Sequence, residues 1–140
     1  MRRASWLVGL CLILALVINV GAAMQQRTHP EIMQAVAATN MSLQGNVQSA
    51  NAQAIAADAG TLAGLFREAI PIYESRDLDG AIEIANRAAA AADEAVAAAN
   101  AGNMEAAGAA AGNLGKVCQG CHMQFREKAP DGSFRFKAQN

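Results

Sequence analysis

Two cysteines and a histidine stand together in the run Cys118, Gln119, Gly120, Cys121, His122. This C-x-x-C-H spacing is that of c-type haem attachment. On a helix, Cys118 and Cys121 are three residues apart and His122 is four from Cys118, so all three project from one face. Two thiols so placed can form thioethers with the two vinyl groups of one haem while the imidazole reaches its iron. Leu114 and Phe125 share that face and Val117 flanks it, an apolar surround that excludes water. By average residue usage the pattern arises by chance in a chain this long about once in a thousand.

Other uses of the same side chains are less well supplied. A thioredoxin-like redox pair needs a βαβ setting, and a structural zinc site needs about four ligands. A disulfide between Cys118 and Cys121, or an unmodified pair, stays as the alternative.

Something must position these residues, and the composition favours helix. The chain has 140 residues, enough for one domain, with 53% hydrophobic but only 4% aromatic content. Its 34 alanines favour helix and bury little area per residue. A domain built this way is marginal unless something bulky fills its centre.

Residues 1–23 read as an export signal: Arg2 and Arg3, an apolar run from Trp6 to Val20, then Gly21, Ala22 and Ala23. Cleavage near Ala23 leaves residues 24–140 as the domain, placed in the periplasm and free of the membrane. A retained membrane anchor is the alternative, the run being at the short end for a span. Cys11 follows Leu10 rather than the small residue that a lipid-modified cysteine needs, and leaves with the signal. Without Arg2 and Arg3 the chain keeps 9 basic against 12 acidic residues, a net charge of about −3, so nucleic acid is not an expected partner.

Four helical segments are expected, over about 30–48, 51–74, 79–100 and 103–128, with no clear strand signal. Pro30 suits a first helical position and Asn51 a cap, Pro71 should bend the second helix, and Pro130, Asp131 and Gly132 stop the last. Ile32, Val36, Leu43 and Val47 form one apolar stripe, and Ile55, Leu62, Phe66 and Tyr73 another. The third helix offers mainly alanine. Four helices of similar length with short connections predict an all-α fold, an antiparallel up-down-up-down four-helix bundle.

With Cys118, Cys121 and His122 near the C-terminus, followed by Phe125 and Arg126 on the last of four helices, the chain resembles the class II c-type cytochromes, the cytochrome c′ family. The resemblance covers nearly all of residues 24–140. It implies one covalently attached haem c, held by the C-terminal helix and covered by the first. It also implies two functional classes: low-spin electron carriers whose distal residue ligates iron, and five-coordinate proteins that bind NO or CO. Some relatives pair as a homodimer, which this sequence leaves open. Many carry a basic residue on the first helix near the haem propionates; here that helix has none, and Arg126, Arg27 and Lys116 are the candidate partners.

The distal residue decides between the two classes. At about 100° per residue, Met33 lies roughly 70° from the centre of the first apolar stripe and Met41 roughly 150°, so Met33 can face the haem and Met41 faces outward. Met33 also looks like the ligating methionine of the low-spin members, although most helical methionines are ordinary core packing. His29 competes as a ligand but, standing just before Pro30, reads as a capping or solvent-facing residue outside the helix.

Iron held by His122 and Met33 makes an electron carrier rather than an enzyme, since no distal acid–base pair is apparent. Lys116, Arg126, Lys128, Arg135 and Lys137 make the haem end basic, which suits docking of an acidic redox partner protein. A five-coordinate gas-binding cytochrome is the competing reading.

Overall fold

The computed structural model describes residues 26–138. The expected signal at 1–23, with Cys11, lies outside them. Among the described residues no helix is long and apolar enough to cross a membrane.

The described chain is four helices packed against one another: α1 (His29–Gln48), α2 (Ala52–Glu74), α3 (Asp79–Asn100) and α4 (Met104–Phe125). Their starts follow local chemistry. At α1, the Glu31 carboxylate accepts from both the backbone N–H and the hydroxyl of Thr28, each at 2.7 Å. Asn51 and Asn103 cap α2 and α4, their side-chain oxygens accepting the N–H groups of Ala54 and Ala106 at 3.2 and 3.0 Å. The sequence offers Thr28 or His29 as the cap of α1; Thr28 is the cap, and His29, expected outside the helix, belongs to it as its first residue.

All three interhelical turns close in one way. The N–H groups of Asn51, Leu78 and Asn103 reach back to the carbonyls of Asn46, Tyr73 and Ala98 at 3.0, 3.1 and 2.9 Å. Each turn then needs one left-handed residue, at Ala50 (φ 52°), Asp77 (φ 53°) and Gly102 (φ 74°). Only the last is glycine.

The core is divided unequally between its walls. From α2 come Ile55, Leu62, Leu65, Phe66 and Tyr73; α3 contributes eight buried alanines and Ile84. Ile32, Val36 and Leu43 are buried on α1 as the stripe requires, while Val47 is only half-buried. Large side chains on α2 thus meet a flat face of α3, and these two helices make the most extensive contact in the molecule. Helix α4 packs broadly on α3 and only lightly on α1 and α2. The side of the fold that carries the cysteines is its least tightly filled.

The last segment departs from expectation. Helix α4 stops at Phe125, and a two-stranded antiparallel hairpin follows, with β1 (Arg126–Lys128) pairing against β2 (Phe134–Phe136). Its turn is built by Asp131, whose carboxylate accepts from the N–H and hydroxyl of Ser133 at 2.9 and 2.7 Å, and by Gly132 at φ 86°. Strands of three residues are too short to show alternation in sequence. The stop signals at 130–132 therefore belong to a hairpin turn rather than to a helix end.

A left-handed alanine costs about 1–2 kcal/mol, against the ~0.4–1 kcal/mol of extra unfolded-state freedom that glycine brings. Ala50→Gly is therefore expected to stabilise the fold by roughly 0.5–1 kcal/mol, and Asp77→Gly by less, because aspartate visits this conformation more readily. Chemical denaturation of the two variants beside wild type checks both the sign and the order.

Candidate functional site

Helix α4 brings Cys118, Cys121 and His122 to its last two turns, held from behind by buried Leu114 and Phe125. Both cysteines are free and half-buried against the core. Phe125 packs under the start of α3, where a Cβ added to Gly80 would lie 2.9 Å from the Phe125 ring. Glycine at 80 is what allows α4 to seat this deeply.

Electrostatics separate the competing uses of the thiols. Burial, with Cys121 close by, pushes the Cys118 thiol up to about 11, and burial also raises Cys121, Arg126 opposing. A redox-active dithiol needs the reverse, a thiol lowered toward neutrality. Among the described residues no three His, Cys, Asp or Glu side chains converge as a metal site, as a structural zinc would require. Burial and Arg126 both lower the pKa of His122, favouring the neutral imidazole that can donate a lone pair to a metal.

An open cleft of about 470 Å³ exposes Cys118 and His122 to solvent. That volume lies within the ~300–1,000 Å³ of small-molecule sites. Its other walls include Gln119 and Met123 from α4 and Arg126, Lys128 and Phe134 from the hairpin. The Arg126 guanidinium stacks on Phe134, 4.3 Å from the ring centre.

On the other side of the motif lies a cluster that the sequence reading did not assemble. His29 Nε2 is 3.2 Å from the Tyr73 hydroxyl, and the His29 ring lies 4.6 Å from that of Phe136. Tyr73 meets Phe136 edge-on at 6.0 Å, and Arg76 covers Phe136 at 5.2 Å. Burial first, then the charges of Cys121 and Cys118, raise the Tyr73 hydroxyl above its ordinary value. His29 is held down to about 4 by burial, then by Arg76 and by His122. His29 is thus a packed, neutral imidazole within electrostatic reach of His122, not a solvent-facing cap. Tyr73 had counted only as part of an apolar stripe, and no sequence signal tied Phe136 to it.

Met33 is half-buried against the core, on the face of α1 that His29 begins. Met41 is 76% exposed, as the helical angle required. Of the cations considered for an acidic cofactor group, Arg27 is bound to Glu68, Lys116 is exposed away from the cleft, and Arg126 lines it.

The donor set fits haem c: two unpaired thiols, a neutral imidazole on the same helical face, apolar flanks, and a lightly packed side of the fold beside them. Comparison of the chain with protein-family models, with curated proteins and with solved structures returns no match.

The His29 shift makes stability depend on pH. An unfolded His29 takes up its proton near 6.5, above its folded value of about 4. The stability it contributes is complete above pH 6.5 and is lost as pH falls toward 4. With allowance for screening of a half-exposed ring, urea unfolding of the polypeptide should lose on the order of 1–2 kcal/mol across that window. His29→Gln should remove most of that slope, and equal slopes for the two proteins would contradict the assignment.

Proposed function

We propose that the chain is a periplasmic mono-haem c-type cytochrome that carries electrons between redox partner proteins. The supporting observation is the placement of Cys118, Cys121 and His122 on one face of α4, the thiols free, half-buried and held protonated. On this reading the fold is an antiparallel up-down-up-down bundle, and its C-terminal helix holds haem c. The bound iron supplies one-electron exchange.

Each residue then has a definable task. Cys118 and Cys121 anchor the group through two thioethers, which fixes its orientation and prevents its loss. His122 binds the iron through a nitrogen that burial and Arg126 keep unprotonated. Leu114, Val117 and Phe125 keep water from that side.

Met33 would be the second residue to hold the iron. It stands four residues into α1, about 6 Å along the axis from His29, half-buried against the core. A thioether holding the iron in both oxidation states would keep reorganisation on electron transfer small. It also raises the potential relative to a two-histidine site.

Expression with haem-maturation machinery tests the reading. The exported protein should be coloured and heavier than its polypeptide by one haem, with the signal removed near Ala23. Cys118→Ser with Cys121→Ser should abolish covalent attachment. A low-spin ferric spectrum with a methionine-to-iron band, lost in Met33→Ala, is expected for the carrier. A high-spin spectrum with rapid CO binding in the wild type would instead make the chain a five-coordinate gas binder.

A further inference from the structure

Three large hydrophobic side chains are strongly exposed among the described residues: Met41 at 76%, Met123 at 67% and Phe134 at 60%. Two of the three, Met123 on α4 and Phe134 on β2, line the same cleft, the one that opens Cys118 and His122 to solvent. Leaving an aromatic ring and a thioether in water beside a site is the pattern of an interaction surface rather than of a folded core.

The rim has a sign. Arg126 and Lys128 line the cleft with them, Arg126 being stacked on the Phe134 ring. Residues 116–137 hold five cations against two anions, Glu127 and Asp131. Glu127 is engaged by Arg135 at 2.7 Å, and Asp131 by the Ser133 N–H and hydroxyl. The stack holds the guanidinium over Phe134, so less side-chain freedom is lost when a partner carboxylate binds there.

We propose that Met123 and Phe134, rimmed by Arg126 and Lys128, form the docking surface for an acidic redox protein, which exchanges electrons through the cleft exposing Cys118 and His122. This rests on the haem reading and extends it by naming the contact. One electron passes in either direction, one centre being oxidised as the other is reduced, with no bond made or broken. Division of labour follows from the chemistry: the cations govern encounter and its salt dependence, and the apolar pair governs dissociation.

The test uses the haem-loaded, full-length exported protein. Rates of oxidation by ferricyanide, an anion, and by tris(phenanthroline)cobalt(III), a cation, report the charge at the exchange site. Binding of a purified acidic blue-copper protein reports docking. Arg126→Gln with Lys128→Gln should slow ferricyanide several-fold at low salt, flatten its salt dependence and speed the cobalt reaction, each by more than Lys116→Gln does. Met123→Ala and Phe134→Ala should weaken the copper protein about tenfold, through faster release, and change the small-oxidant rates less than the charge pair does. Met123→Ala lies on α4 and does not depend on hairpin folding.

Wild-type behaviour of the charge pair, or of both apolar variants, overturns the proposal. So does self-association that Phe134→Ala abolishes, which would make a second copy of the chain the occupant. A colourless protein overturns the haem reading itself, whereas a coloured one indifferent to these substitutions removes only the docking surface.

Discussion

Phe125 is both the last helical residue of α4 and the point at which that helix is clamped to the core. Its ring, 5% exposed, lies so close to Gly80 that a side chain there would force the ring to shift. Leu114, fully buried, fixes the same helix three turns earlier. Between these two anchors the rotation of α4 is set, and Cys118, Cys121 and His122 inherit their direction from it. The arrangement is set by packing at both ends of the motif. It relies on two apolar contacts and on the absence of one methyl group.

The hairpin builds outward from the same anchor. The Phe125 carbonyl accepts the Lys137 N–H at 2.9 Å, and the Met123 carbonyl accepts from Lys137 Nζ at 2.6 Å. With the chain end tied back in this way, Phe136 reaches His29 and Tyr73 while Phe134, nearer the turn, reaches Arg126. A segment of about a dozen residues thereby bounds the cysteine-bearing end from two directions. Its two phenylalanines, two residues apart on β2, do different work: Phe136 packs on the His29–Tyr73 contact between α1 and α2, and Phe134 lines the open cleft.

Much of the helical framework was legible because it is repetitive. Apolar residues recurring at helical spacing located the buried faces of α1 and α2, and Asn51 caps where its type and place suggest. The alanine content of α3 was plain from composition, and the outward turn of Met41 follows from helical angle. What escaped was non-periodic or long-range. The α4 boundary was set three residues too late because Arg126, Glu127 and Lys128 are good helix formers whose extended conformation is dictated by pairing with Phe134, Arg135 and Phe136. His29 was misplaced because its environment comes from Tyr73 and Phe136, 44 and 107 residues away. The C-x-x-C-H spacing was plain in sequence, while the cleft and the exposed Met123 and Phe134 beside it required the fold.

The alanine wall of α3 has a mechanical consequence. A methyl group has no rotamers, so that face loses no side-chain entropy on folding and has nothing to rearrange when its surroundings change. It is a stiff plate, and the branched and aromatic side chains of α2 are pressed against it. The opposite flank, between α1 and α4, is where packing is sparse and side chains keep more freedom to adjust. Compliance in this molecule is one-sided, and the pliant side is the one that carries the cysteines.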